Sequence, residues 1–167
     1  MGHADRNERQ PVNLAARRLD SAAFETLFTE GMALVDEAAA YLDGSGRAES
    51  RALDRTALNA YAQQSLKLST RLMQLASWLL LQRAVAEGDM SVETARREAA
   101  KIDLLGSPRD EEQETALPES LRALVERSHT LQARIVRLDA GLAAPEAPSD
   151  NAVAGHIRRL RSSLESG

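Results

Sequence analysis

Apolar residues recur along the first third of the chain at intervals of three and four, the spacing that places side chains on one face of an α-helix. The series begins just after Ser21, whose hydroxyl suits a helix N-cap, and it ends before Gly44, which suits a helix C-terminus. A glycine on the same face would let a second helix approach closely. The pattern predicts a first helix from about Ser21 to Asp43, with this apolar face: Phe24, Phe28, Gly31, Val35, Ala38 and Leu42.

A longer series follows the short connection "GSGR" and predicts a second helix from Ser50 or Asp54 to Glu87. Its main apolar seam is flanked by a second stripe and, near the C-terminal end, by a third apolar face. A helix with several apolar faces must be covered on several sides. The three sets are Leu58, Tyr61, Ser65, Leu68, Leu72, Leu75 and Leu79; Leu66, Met73 and Leu80; and Trp78, Leu81 and Val85.

The third of these faces is predicted to be buried at a joint between helices or at a dimer interface. At about 1.5 Å per residue, a helix of about 35 residues is about 50 Å long and exceeds the first helix. The surplus must be covered by a short helix that begins at Ser91 or by another subunit. The segment 106–119 follows, and its one arginine and five acidic residues give a charge of −4. We expect a solvated, mobile loop there.

A last long helix is predicted from Pro118, with apolar positions in heptad spacing up to Leu142. A Pro/Ala-rich linker follows. The predicted organisation is a flexible N-terminal tail (residues 1–19), a helical bundle (20–142) and a flexible C-terminal tail (143–167) with a short amphipathic segment. The residues of that segment predicted to dock a partner are Ile157, Arg158, Arg159, Leu160 and Arg161.

Composition supports an all-α fold, because the chain is rich in residues that favour helices, mostly Leu and Ala, whereas the β-branched and aromatic residues typical of strands are scarce, with aromatics at only 3%. With three long seams, the expectation is an antiparallel three-helix bundle with one short extra helix, which dimerises and has disordered termini. The net charge of −4 argues against nucleic acid as the main partner. The uninterrupted apolar run "LMQLASWLLL" is shorter than the roughly 20 residues of a membrane span, so no membrane partner is predicted.

The residues indicate no catalytic centre. There is no cysteine, and the three histidines, His3, His129 and His156, lack metal-ligand spacing and are expected to be exposed. No metal, cofactor or enzymatic activity is predicted. One alternative is a small helical enzyme or anion-binding protein that uses Lys67, Arg71 and Gln74, which share one helical face. That alternative requires the three side chains to converge in a pocket. A structural dimer with a regulatory role is the other alternative.

Three segments resemble one family. They are "YLDGSGRAES" at 41–50, "LKLSTRLMQLASWLLLQRAVAEGDM" at 66–90, and a pattern in the last helix that ends in "RLD" at 137–139. Together they resemble the alphaproteobacterial regulator of CtrA degradation (RcdA) family over Phe24 to Leu142. The resemblance implies a dimeric three-helix bundle and a non-enzymatic adaptor. Such an adaptor helps to deliver cell-cycle regulatory proteins to the ClpXP protease, with a ClpX-type unfoldase, response-regulator-type factors and protein cargo as partners. It implies a cytoplasmic location, with a cell pole as a candidate site.

Overall fold

The computed structural model describes residues 21–143, and all the regular secondary structure in that range is helical. This confirms the all-α prediction. The helices are α1 (Ala22–Asp43), α2 (Ser45–Arg51), α3 (Arg55–Ala86), α4 (Val92–Ala99), α5 (Glu111–Thr115) and α6 (Glu119–Ala143). Both predicted tails lie outside the described residues, except for Ala143, and so do His3, His156 and the partner-docking residues Ile157, Arg158, Arg159, Leu160 and Arg161.

Side-chain caps begin the helices at the residues that the sequence indicated. Ser21 Oγ accepts the Phe24 amide at 3.2 Å, and Asp54 Oδ1 accepts the Ala57 amide at 2.8 Å. Ser91 Oγ caps α4 in the same way. These bonds satisfy amides that have no partner within the helix. The end of α3 was also predicted correctly, because Gly88 follows it with a φ of 79°, a left-handed conformation that glycine adopts without strain.

The three long helices meet at Gly31. A Cβ atom built on this residue would lie 2.5 Å from Leu79 of α3 and 3.6 Å from Leu131 of α6. The absence of a side chain therefore lets α3 and α6 approach α1 closely, as the apolar pattern predicted. Ion pairs join the outer sides of α1 and α6, including Arg134 to Glu30 at 2.5 Å. The buried apolar side chains around this junction include Phe24, Leu27, Leu34, Leu68, Leu72, Leu75, Leu79, Leu121, Leu124, Val125, Leu131 and Ile135.

Two short helices occupy segments for which the sequence predicted loops. In α2, Gly46 is buried, and a Cβ there would lie 2.7 Å from both the Tyr41 carbonyl oxygen and Tyr61 Oη. Tyr41 Oη donates to Glu49 at 2.5 Å, and burial together with this carboxylate raises the pKa of the phenol. The "GSGR" segment is therefore the start of a packed helical turn and not an open connection. The second unexpected helix is α5.

At 32 residues, α3 is about 48 Å long, ten residues longer than α1. The α3 helix also packs against α4 and α5. No helix within residues 21–143 is long and apolar enough to cross a membrane. Contacts divide the chain into two compact units, residues 1–136 and 137–167. The junction of the three long helices lies in the first unit; of the second, the structure describes residues 137–143, which end α6.

Candidate functional site

The third apolar face of α3 lies largely inside the single chain. Trp78 has an exposed fraction of 0% and Val85 of 9%, while Leu81 is half-buried. Trp78 is therefore not on the surface, and its burial does not require a second subunit. A role for Leu81 or Val85 at a subunit interface stays a prediction.

The largest exposed apolar side chains of the long helix belong instead to its second stripe. Leu66, Met73 and Leu80 have exposed fractions of 70%, 67% and 55%. They lie seven residues apart, so they share one face of α3 and lie along a line of about 21 Å. We call these three residues the exposed stripe. An apolar line of this length on the surface is typical of a site that another polypeptide covers.

The positions that alternate with the exposed stripe are small and uncharged. Ser69 and Ala76 fall between its members, and Ala62 precedes it, at spacings of four and three that form a heptad seam. Small residues beside large ones let a second helix approach closely and accept its side chains. The seven-residue spacing was visible in the sequence, and the absence of charge along the seam is the signal that marks it as a candidate interface.

Beside the exposed stripe, the structure brings together Lys67, Arg71 and Gln74. These three side chains line a cavity of about 250 Å³ whose wall also includes Leu66 of the stripe. All three residues of the anion-binding alternative therefore lie in the wall of one cavity. The opposite wall comes from the segment after α4 and from α6: Asp103, Gly106, Ser107 and Gln132.

Arg71 is half-buried in this wall and points its guanidinium at α6. Its Nη1 donates to Ser128 Oγ at 2.8 Å, and Ser128 in turn donates to the Val125 carbonyl at 2.6 Å. Burial lowers the pKa of the Arg71 guanidinium, and the negative charge of Glu114 partly offsets this lowering. The group that accepts a hydrogen bond from Arg71 is thus a neutral hydroxyl and not a carboxylate.

The acidic segment is not the open, solvated loop that the sequence predicted. Asp110 Oδ1 accepts the Gln113 amide at 3.0 Å and starts α5, and Glu114 on that helix has an exposed fraction of 5%. Gln64 of α3 donates to Gln113 Oε1 at 2.6 Å. A short helix with one buried carboxylate and one buried amide contact therefore docks against α3.

The buried carboxylate of Glu114 faces Arg109 and His129. Arg109 Nε donates to Glu114 Oε2 at 2.8 Å and also pairs with Glu126. His129 Nε2 lies 3.3 Å from Glu114 Oε1, and the imidazole is only 13% exposed, which corrects the expectation of an exposed histidine. The reason is tertiary, because α5 covers this flank of α6.

His129 contributes less to this junction than Arg109 does. Burial, together with the charge of Arg71, lowers the pKa of His129, which favours a neutral ring. Gln132 gives its amide hydrogens to the carbonyls of Leu104 and Leu105, so its oxygen accepts from His129 Nδ1 at 3.3 Å. His129 Nε2 is then an acceptor that faces a carboxylate, and neither it nor Glu114 Oε1 has a hydrogen-bond partner among the described residues. Arg109 is the main anchor.

Arg109→Met is expected to lower the free energy of unfolding by about 1 to 3 kcal/mol, because it leaves the Glu114 carboxylate buried beside a ring that cannot donate. Denaturant unfolding measures this. Arg127→Met is the matched control, since its ion pair with Glu37 is about half exposed on both sides and is worth at most ~1 kcal/mol. Equal losses in the two variants would contradict the role assigned to Arg109.

No group of His, Asp and Glu side chains in residues 21–143 is arranged to hold a metal ion. The arrangement that the structure does offer is a hydrophobic stripe beside a cavity with two cationic side chains. The hydrophobic stripe can bind an apolar surface, and the cavity can bind an anion.

The sequence and the structure were compared with known protein families, curated proteins and solved structures. A family model described as a protein of unknown function (DUF1465) matches residues 15–164. Among solved structures, the chain is similar to the crystal structure of RcdA from Caulobacter crescentus CB15, with 44% sequence identity and a TM-score of 0.63. The match covers 75% of this chain and 95% of that one. No curated protein matches the sequence.

Proposed function

Because the chain belongs to the RcdA family, the family of unknown function DUF1465, we propose that it is a non-enzymatic adaptor that helps to deliver cell-cycle regulatory proteins to the ClpXP protease. The observation that carries this proposal is the 44% identity to RcdA over 95% of that chain. The adaptor role is what the resemblance implies for the family. In this proposal the protein acts in the cytoplasm, with a cell pole as a candidate site.

An adaptor needs surfaces for other proteins, and the exposed stripe supplies one. We propose that a second copy of the chain covers it, so that two α3 helices pack across a twofold axis. The seam of Ala62, Leu66, Ser69, Met73, Ala76 and Leu80 contains no charge, which is the composition that a helix-to-helix interface favours. Symmetry would place every stripe residue in the interface twice.

In this proposed dimer, the third apolar face of α3 lies within the single chain and not at the subunit interface. We propose that Trp78, Leu81 and Val85 hold α3 against α4, and that α1, α3 and α6 form an antiparallel three-helix bundle. The complete burial of Trp78 supports this placement. The packed core on the other side of α3 would hold the exposed stripe in a straight line, so that it could pack against the stripe of a second chain.

Contacts with the protease are proposed to lie in the C-terminal tail. Ile157 and Leu160 are three residues apart in the sequence, and Arg158, Arg159 and Arg161 surround them. A short segment of this kind can dock in a groove of a partner such as a ClpX-type unfoldase. Response-regulator-type factors and the protein cargo complete the proposed assembly.

Ending the chain after Ala143 is expected to leave the dimer intact and to abolish recovery of at least one of these partners. Crosslinking with mass spectrometry in cell extract, beside light scattering of the purified protein, measures both effects. Ile157→Asp combined with Leu160→Asp should act like the truncation, because each places a charge at an apolar position. Ser162→Asp combined with Ser163→Asp adds the same two charges outside the proposed contact and should have little effect.

Recovery of neither an unfoldase nor a cell-cycle regulator by the full-length protein would contradict the adaptor function. If the dimer forms but the partners are unrelated to proteolysis, the protein is a structural dimer with another regulatory role. These outcomes are distinct, since the oligomeric state and the identity of the partners are measured separately.

A further inference from the structure

We propose that the cavity beside the exposed stripe is a binding site for a small organic anion, a carboxylate or a phosphate ester, held by Lys67 and Arg71. This inference does not depend on the adaptor function. It concerns a site built by α3, α6 and the segment 103–107, and it gives the protein a ligand of its own.

Two half-buried cations with no carboxylate in ion-pair contact carry the inference. Lys67 and Arg71 lie four residues apart on α3, so their side chains are neighbours on one face of the helix. Among the described residues, no carboxylate lies within 4.0 Å of either charged group. Charges that are removed from water are normally paired. An anion in the cavity would supply the missing partner for both.

The remaining wall fits a polar ligand of limited size. Gln74 and Thr70 add amide and hydroxyl groups on the same side as the cations. Gln132 holds the opposite wall in place through its bonds to the Leu104 and Leu105 carbonyls. A volume of about 250 Å³ lies just below the usual range of drug-sized pockets, which favours a small metabolite.

One carboxylate lies in the wall of the cavity, and it gives the inference a directional test. Asp103 is exposed, and its Oδ1 accepts the Gly106 amide at 3.0 Å. Its negative charge opposes an incoming anion, whereas the two cations attract it. Asp103→Asn removes the charge and keeps an oxygen for the Gly106 amide.

Isothermal titration of the full-length protein with succinate and with glycerol 3-phosphate is expected to give saturable binding of at least one of them. Lys67→Met and Arg71→Met should each weaken that binding at least about tenfold, because a charge-assisted hydrogen bond is lost. Asp103→Asn should tighten it a few-fold. Whichever anion binds more tightly identifies the class of ligand.

The controls separate a built site from general charge attraction. Arg51→Met removes an exposed arginine outside the cavity and should leave the affinity unchanged. Neutral succinamide should not bind. Arg71→Met should fold, because Ser128 keeps its bond to the Val125 carbonyl, and circular dichroism checks this. The proposal is wrong if neither anion binds, if succinamide binds equally well, or if Arg51→Met weakens binding as much as Arg71→Met.

Discussion

Trp78→Ala is expected to lower the free energy of unfolding by about 3 to 5 kcal/mol. The indole is 0% exposed, so its removal forfeits its burial and leaves a cavity that surrounding helices fill only in part. A loss of this size approaches the whole stability of many domains. Thermal or denaturant unfolding of the full-length protein measures this loss. Repeating the measurement at two protein concentrations shows whether the tryptophan is buried within one chain or between subunits.

The concentration dependence decides between the two roles predicted for this residue. If Trp78 is packed within one chain, the loss is the same at low and high protein concentration. Leu66→Ala is the comparison, because Leu66 is 70% exposed and its removal should cost the single chain at most ~0.5 kcal/mol. A Trp78→Ala variant with unchanged stability at low concentration, but weaker self-association, would place the indole in a subunit interface instead.

Met73→Glu is expected to convert the proposed dimer to a monomer, with a dissociation constant at least about 100-fold higher. Met73 is the middle residue of the exposed stripe and is 67% exposed in the single chain. In a symmetric pair, two carboxylates would be buried near the axis without partners, and such burial costs several kcal/mol. Sedimentation or light scattering over a dilution series measures the dissociation constant.

The fold of the monomer should survive this substitution, because an exposed helical position tolerates glutamate. Ala133→Glu introduces the same charge at an exposed position of α6 and is expected to leave self-association unchanged. If Met73→Glu remains dimeric and Ala133→Glu does not, the interface lies on α6 and the stripe serves another partner.

The long helices were predictable because their signals are local. Asp54 and Ser91 accept amides three residues ahead, and Gly88 supplies a left-handed residue, so the ends of α3 and the start of α4 follow from a few neighbouring residues. Gly31 could be placed in the core because its position repeats within the apolar period of α1. Each of these predictions rests on residues that are close together in the sequence, so none depends on which segments meet in the folded chain.

The junction around α5 was not predictable in this way. In the sequence, Glu114 is one of five acidic residues in a short segment, and the charges of such a segment are usually solvated. Its burial depends on Arg109, five residues earlier, and on His129, fifteen residues later, and these meet only once α5 has docked. The cavity could be foreseen only in part, since the face of Lys67, Arg71 and Gln74 was visible and the opposite wall was not.

Leu66 belongs to the wall of the cavity and to the exposed stripe at the same time. A ligand that fixes its rotamer therefore acts on the surface that a second chain would cover. Thermodynamic linkage makes the effect mutual: a molecule that strengthens pairing tenfold must itself bind the pair tenfold more tightly than the free chain. In the proposed dimer, a ligand in the proposed site that fixed the Leu66 side chain would therefore couple subunit pairing to the concentration of that ligand.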